Sequence, residues 1–296
     1  MFAVYKREIK AYVNNVYGFL FAAVLLLVLG VMVFLYNLNA ALADISFALV
    51  QGGYSEFVLM LMIPVLCMRI MAEDKHRKTD LLYLSLPLRT GAVVMGKYLA
   101  LLTVFTAPML IVSLYPIVLH WFGDVNFASS YATIFTYYLM GAALLAMCMF
   151  LSSLTNHVAV AGVLGVAACV VLYFLPLLVE LLPYTPIVSL IGLGILSILL
   201  IVISWFSSRR LTVTAITAAA TVLPLGVLFV LDSFVFQWGA FEGLLPTVLS
   251  YASPFRQFET TATSGTFDLF GVSIILSFAA FFVFLTVQSA DKRRWA

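Results

Sequence analysis

The chain has 296 residues, of which 64% are hydrophobic and only 9% carry charge, and its formal net charge is +2. A soluble protein of this size presents a largely polar surface to water, so this composition excludes a soluble globular domain. We therefore predict an all-α integral membrane protein whose apolar runs cross the bilayer as helices.

The N-terminal segment 1–16 predicts an amphipathic helix lying on the membrane surface. Phe2, Ile9 and Val13 recur at helical spacing, whereas Lys6 and Lys10 fall on the opposite side. An apolar run follows this basic leader, an order that also occurs in secretory signal peptides. Because the run of about 19 residues is longer than the usual signal core of about 7 to 15, we interpret it as the first transmembrane span.

Eight apolar runs are long enough to cross a bilayer, which needs about 20 residues for each helix. Two lie in the segment 17–71, three in the segment 97–179, an additional pair in the segment 187–231, and the last in the C-terminal segment 269–296. The predicted spans are 18–36, 54–70, 98–119, 131–151, 158–179, 187–206, 211–231 and 269–288. An even number of spans brings the C-terminus back to the side of the N-terminus.

The positions of Lys and Arg test this arrangement, because short loops rich in positive charge stay in the cytoplasm. With both termini inside, 14 of the 15 basic residues fall on the inner side and only Arg256 lies outside. Eight of the 13 acidic residues fall on the outer side. The distribution predicts a multi-pass protein of the plasma membrane, with both termini in the cytoplasm.

The inner segment 72–96 is the only long charged stretch between two strongly apolar ones. Its first residues are mostly charged, and Asp80 then opens a leucine-rich turn that stops at Pro87. This turn is too short to span a bilayer and too apolar to stay in water, so a protein surface or the headgroup region must cover it. We predict a short helix over 72–87 that lies across the membrane surface. The apolar ridge of this helix consists of Leu81, Leu82, Leu84 and Leu86.

Two acidic residues near the start of this segment have two possible roles. Glu73 and Asp74 can bond basic or hydroxyl groups on a partner, or they can stabilise the start of the helix through its dipole. The two roles are compatible, and we expect both. The basic residues that follow have an ordinary role as positive-inside anchors of a cytoplasmic loop.

The outer segment 232–268 is the longest loop, yet it is rich in aromatic and aliphatic residues. Leu244, Leu245 and Val248 recur at helical spacing up to Tyr251, with Pro246 interrupting the pattern. We predict a short interfacial or re-entrant helix at the outer surface, where Trp and Tyr rings are favoured. It serves either as an anchor for the last span or as an outer gate, with Leu244 and Leu245 as gate candidates.

The sequence contains none of the motifs that would indicate catalysis. It lacks a glycine-rich phosphate loop, an H-E-x-x-H pair and a nucleophile set beside a base. No predicted span carries a charged residue near its middle, whereas ion-coupled carriers usually need one there. We therefore expect that the chain is not an enzyme, and that energy for any work reaches it through the inner segment.

Two stretches resemble ABC-2 type transporter permeases, and most closely the branch of gliding-motility-associated ABC permeases. The first stretch, 63–100, resembles the second span, the coupling loop and the start of the third span in that branch. Its matching residues are Pro64, Leu66, Met68, Arg69, Ala72, Glu73, Asp74, Thr79, Leu81, Leu82, Leu86, Pro87, Gly96 and Lys97. The second stretch is similar at Ser253, Pro254, Phe255, Phe258, Arg293, Arg294 and Trp295.

The resemblance also has departures. The segment 187–231 adds a pair of spans to the six that such permeases usually have. Asp74 stands where Glu is common, and Arg256 with Gln257 stands where a His is usual before the Phe. The additional pair leaves the core of the resemblance intact but bears on subunit packing and on the shape of the pathway.

The resemblance implies an ATP-driven transporter, most simply an exporter. In such transporters two permease subunits, identical or related, pair with two cytoplasmic ABC ATPases that bind ATP and Mg, so this chain itself would hold no cofactor. The resemblance assigns ATPase coupling to the segment 72–87. The expected coupling residues are Glu73, Asp74, Thr79, Leu81, Leu82, Leu84, Leu86 and Pro87. The expected outer gate residues are Leu244, Leu245, Pro254, Phe255 and Phe258.

These expectations define a bacterial permease that contacts an ATPase, a second permease subunit and membrane lipids, but no nucleic acid. One alternative is a membrane scaffold or signalling partner of an ATPase that moves no cargo. Another is a secondary carrier, which the absence of charge within the predicted spans disfavours. A fold alone does not identify a cargo, so the transported substrate is left open.

Overall fold

The computed structural model describes residues 1–39, 44–50, 53–78, 90–181 and 243–295, together with seven isolated positions between 183 and 197. All regular secondary structure in these residues is helical. The helices in residues 1–78 are α1 (Phe2–Asn14), α2 (Val16–Met32) with a π-helical continuation (Val33–Asn39), α3 (Ile45–Val50), α4 (Tyr54–Cys67) and α5 (Ala72–His76). Those from residue 90 onward are α6 (Thr90–Val112), α7 (Tyr115–Leu119), α8 (Phe127–Leu154), α9 (Val158–Glu180), α10 (Leu244–Ala252), α11 (Pro254–Ser264) and α12 (Leu269–Trp295).

Six helical stretches in the described residues are long and apolar enough to cross a membrane. They are Val16–Asn39, Tyr54–His76, Thr90–Leu119, Phe127–Leu154, Val158–Glu180 and Leu269–Lys292. These six coincide with the first five predicted spans and with the last one. The predicted spans 187–206 and 211–231 lie outside the described residues.

The third span is longer than the sequence pattern predicted. Its helix begins at Thr90 rather than at residue 98, so Lys97 lies inside the helix and not before it. The predicted span began directly after this residue, because a lysine at the edge of an apolar run normally marks the membrane boundary.

The described chain divides into two compact units, Met1–Tyr173 with Pro254–Ala296, and Phe174–Ser253. In the first unit α8 is the central helix, since 19 of its 28 residues are buried. It contacts α4, α6, α11 and α12. Gly141 of α8 has no side chain and therefore leaves room for the ring of Phe105 from α6, which is fully buried. A helix buried nearly all round is typical of the centre of a bundle.

Hydrogen bonds between distant segments show which helix ends of the first unit meet. At one end, Thr90 donates to Asp291 and Ser153 donates to the Ser289 hydroxyl at 3.0 Å. The start of α6, the end of α8 and the end of α12 therefore lie together. The same end holds α5 and α1, because Lys75 of α5 donates to the Ser153 carbonyl and Asp74 of α5 contacts Arg7 of α1. We call it the basic end, after Arg7, Arg69, Lys75, Arg77 and Lys97.

The N-terminal helix α1 packs along α6 with one face and leaves the other face open. Val4, Glu8 and Tyr12, spaced by four residues, form the buried face. Phe2 and Val13, two of the residues predicted to contact the membrane, are 75% and 53% exposed. Phe2 and Val13 are therefore available to lipid headgroups, while the face formed by Val4, Glu8 and Tyr12 is held by protein.

The second unit contains the C-terminal end of α9 and helix α10. The backbone N–H of Leu245 donates to the Ser189 hydroxyl at 3.3 Å, and Leu245 is buried close to Gly192. Pro246 does not interrupt α10, contrary to the sequence prediction. It occupies the first turn of the helix, where a missing N–H costs no helical hydrogen bond.

Candidate functional site

The basic end contains a buried ionic junction formed by Glu8, Asp74 and Lys97, with Arg7 at its edge. Lys97 is only 2% exposed, although lysine is almost never buried without partners. Its ammonium group donates to the Asp74 carboxylate at 2.5 Å and to the Ile70 carbonyl at 2.5 Å. The Glu8 carboxylate lies 3.3 Å away.

Glu8 and Lys97 are each placed in the junction by the apolar face of their own helix. Glu8 lies one turn from Val4 and from Tyr12 on the buried face of α1. Lys97 lies in the same way between Val94 and Leu101 on the buried face of α6. Packing of these apolar neighbours therefore carries opposite charges into contact.

Arg7 completes the charge balance of the junction. Its guanidinium lies 2.5 Å from Glu8 and 3.4 Å from Asp74. Partial burial lowers the pKa of Arg7, but hydrogen bonding and attraction from Glu8 and Asp74 outweigh it and raise that pKa above its ordinary value. Arg7 thus stays charged, and two cations face two carboxylates.

Tyr12 adds a neutral hydrogen bond beside the charges. Burial raises the pKa of the Tyr12 phenol well above its ordinary value, so the hydroxyl keeps its proton. It donates that proton to the Leu66 carbonyl at 3.0 Å. This bond ties α1 directly to the end of α4.

Helix α5 is held in place by the end of α8. The Ser152 hydroxyl accepts from the N–H of Ala72 at 3.1 Å and donates to the Met68 carbonyl at 3.2 Å. Lys75 donates to the Ser153 carbonyl. A helix of five residues is not stable alone, and its first N–H groups need partners. The contacts from α8 supply those partners, so α5 is fixed to the transmembrane bundle.

The predicted coupling helix over 72–87 is not one continuous helix. Helix α5 ends at His76, and Lys78 adopts a left-handed backbone conformation with φ of 54°. A non-glycine residue in this conformation commonly terminates a helix. Thr79, Leu81, Leu82, Leu84, Leu86 and Pro87 lie outside the described residues.

Both acidic residues of the predicted coupling set bond to basic groups of this chain. They occupy the first turn of α5, where the helix dipole favours negative charge. Glu73 forms an ion pair with Arg77 at 2.7 Å, and Asp74 bonds Lys97 as described. Asp74 thereby connects α5, which precedes the leucine-rich turn, to α6, which follows it.

Sequence reasoning missed Glu8 and Lys97 as site residues. It treated Glu8 as a charge on a surface helix and Lys97 as an inner anchor. The available signal was position: each charge lies at helical spacing between residues that belong to the apolar face. A charge at such a position requires a partner from another element, because burial without one is costly.

The predicted outer gate residues are distributed over both units. Leu244 and Leu245 lie in α10 of the second unit, where Leu245 is buried. Pro254, Phe255 and Phe258 lie in α11 of the first unit and are buried. The Phe258 ring meets Tyr137 of α8 edge to face at 5.3 Å, so it is part of the bundle core.

The described residues contain no group of three or more His, Cys, Asp or Glu side chains that could hold a metal ion. The cysteines at positions 67, 148 and 169 are free and buried. The chemistry of the basic end therefore consists of ion pairs and hydrogen bonds between helices. Such an arrangement can transmit a displacement of one helix to its neighbours.

Comparison with known proteins identifies the family of this chain. A family model described as ABC-2 family transporter protein matches residues 23–212. No curated protein and no solved structure shows a significant match. The matched region is more than half of the chain and runs from α2 through α9, including α5 and Lys97. The chain is therefore a membrane permease that belongs to the ABC-2 transporter family.

Proposed function

We propose that this permease is driven by a separate cytoplasmic ABC ATPase and exports its cargo. The ATPase supplies the sites for ATP and Mg, and this chain catalyses no reaction itself. Two permease subunits, identical or related, assemble with two ATPase copies. Membership in the ABC-2 family supports the partnership, and the resemblance of 63–100 to the gliding-motility-associated branch supports the place of contact.

The observation that carries the proposal is the bond between Asp74 and Lys97. Asp74 lies in α5 and Lys97 lies in α6, on either side of the leucine-rich turn that stops at Pro87. Their charged groups are 2.5 Å apart. A protein that pushes on the segment between them therefore moves both helices together. Ser152 and Ser153 pass the same movement to the central helix α8.

The charge distribution supports the orientation. Arg7, Arg69, Lys75, Arg77 and Lys97 lie at one end of the first unit, and this is the arrangement expected of a cytoplasmic face. A cytoplasmic ATPase thus meets the same end that holds α5. Both termini lie on this side, in the cell membrane of a bacterium.

The test removes the apolar ridge and leaves the ionic junction intact. We expect the Leu82→Ala, Leu86→Ala variant to lose the ATPase during purification, because burying each leucine contributes about 1.5–3 kcal/mol. The matched control is Leu27→Ala with Leu276→Ala, which removes two leucines that are 66% and 52% exposed in membrane-spanning helices. The control should keep the ATPase bound.

Reconstituted vesicles distinguish a transporter from a scaffold. The wild-type complex should turn over ATP faster in the presence of cargo and should accumulate cargo in inverted vesicles. A complex that binds the ATPase stably and never responds to cargo would instead be a scaffold. Normal binding and transport by the Leu82→Ala, Leu86→Ala variant would refute the docking site.

A further inference from the structure

A cavity of about 470 Å³ opens at the basic end between α1, α2, α4 and α5. Asn15 and Tyr17 border it near the start of α2, and Arg69 and Arg77 border it from the chain that follows α4. The ionic junction forms another part of its wall through Arg7, Glu8 and Asp74. A cavity of this size is large enough for a small polar ligand.

Arg69 is the residue that determines which kind of ligand the cavity can bind. Its guanidinium stacks on the Tyr17 ring with 3.7 Å to the ring centroid, and one of its nitrogens donates to the Tyr17 hydroxyl at 2.6 Å. Among the residues that the structure describes, Arg69 forms no ion pair with a carboxylate. A guanidinium has five N–H donors, so most of its donors are available to a ligand.

The other charges around the cavity are already balanced. Glu8 and Asp74 face Arg7 and Lys97, and Glu73 pairs with Arg77. Among the described residues of the cavity wall and the ionic junction, four cations thus face three carboxylates, and the charge in excess belongs to Arg69. A ligand that carries one negative charge would neutralise the site. A planar guanidinium fixed by stacking is suited to bind two oxygens of a phosphate at once.

The surroundings of Tyr17 indicate where such a phosphate comes from. Val16, next to it in sequence, and Leu20, one turn further along the same side of α2, are 75% and 49% exposed near the start of the first span. An acyl chain beside these residues would hold a phosphate group at the level of Tyr17 and Arg69. Tyrosine and arginine are both favoured at this depth of a membrane.

We propose that this cavity binds the phosphate of a phospholipid from the leaflet at the basic end, with Arg69 and Tyr17 as the binding residues. The lipid bridges α1, the start of α2 and the end of α4. The ligand chemistry is a phosphate monoanion, and a free inorganic phosphate is the other possible source. This site is independent of the ATPase and of the leucine-rich segment.

The test compares lipid binding by the delipidated full-length chain and two charge-matched variants. Native mass spectrometry would follow the binding of short-chain phosphatidylglycerol. Arg69→Gln should weaken binding by about tenfold or more, because charge-assisted hydrogen bonds to the phosphate are lost. Lys10→Gln removes the same charge from an exposed position of α1 and should leave binding unchanged.

Further experiments identify the source of the phosphate and control for a variant that fails to fold. Failure of millimolar inorganic phosphate to displace the lipid assigns the site to phospholipid, whereas full displacement assigns it to free phosphate. If Arg69→Gln does not fold, Arg69→Lys, which keeps the charge but loses the planar fork, should bind at an intermediate level. The proposal is overturned if Arg69→Gln, with a normal unfolding temperature, binds the lipid as wild type does. It is also overturned if Arg69→Gln loses only the ATPase, since the cavity would then be a protein docking site.

Discussion

Replacing Lys97 by methionine tests the ionic junction most directly. Methionine fills nearly the same volume but removes the charge that faces Glu8 and Asp74. Breaking a buried ion pair by removing one partner costs about 3–5 kcal/mol, because the remaining charge is left without compensation. The side chains involved are 3% exposed for Lys97, 19% for Asp74 and 10% for Glu8. Arg7 still contacts both acids, so we expect a loss near the lower limit, about 3 kcal/mol.

The assay is reversible unfolding of the purified chain in mixed detergent micelles. The control variant is Lys10→Met, which removes a lysine from the exposed side of α1 and should change the free energy of unfolding by less than about 0.5 kcal/mol. A double variant with Asp74→Asn should lose less than the sum of the two single losses, because the two residues contact each other. Equal stability of Lys97→Met and Lys10→Met would refute the junction.

Three further predictions concern topology, the core and the outer end. On a cysteine-free background, cysteines at positions 44, 124, 183 and 264 should react with an impermeant thiol reagent from outside, while those at 79, 156 and 208 should not. Labelling at 208 without labelling at 183 would show that the pair 187–231 is misassigned. Gly141→Ala should lower stability by about 1–3 kcal/mol in thermal or detergent unfolding because the new methyl group meets the Phe105 ring, whereas Gly91→Ala, whose methyl group would meet only Val287 at 4.0 Å, should be neutral. Phe258→Ala should lower the free energy of unfolding by about 3–5 kcal/mol in the same assay. Phe19→Ala, which removes a ring that is 64% exposed, should lower it only slightly. A Phe258→Ala variant that leaks cargo at unchanged stability would favour a gate over a packing role.

The membrane class and the order of six spans followed from the sequence because both depend on local composition. An apolar run of about 20 residues has few alternatives to a membrane helix. The limits of the runs were less accurate. Because of Gly96 and Lys97, the start of α6 was predicted to be a loop, although the helix extends back to Thr90. A charge ends a membrane helix only when it faces lipid or water, and Lys97 faces protein.

The ionic junction could not be predicted because its members are far apart in sequence. Nothing local to Glu8 indicates that its partner is Lys97, since the contact depends on how α1 packs along α6. The resemblance pointed to Asp74 as a residue for contact with another protein, and that contact stays a prediction. The structure shows that Asp74 also bonds Lys97 within the chain, and this internal bond explains why an acidic residue is useful at that position.

The pairing of Glu8 with Lys97 has a consequence for biogenesis. The N-terminal helix leaves the ribosome long before the third span, so Glu8 cannot pair with Lys97 of α6 during that interval. Until α6 is inserted and brings Lys97 into place, α1 remains at the membrane surface, with Glu8 in water or among headgroups. Docking of α1 therefore requires that the first three spans have entered the bilayer in the correct order. A chain in which the third span fails to insert would keep α1 undocked, and a protease of the membrane surface could recognise it for removal.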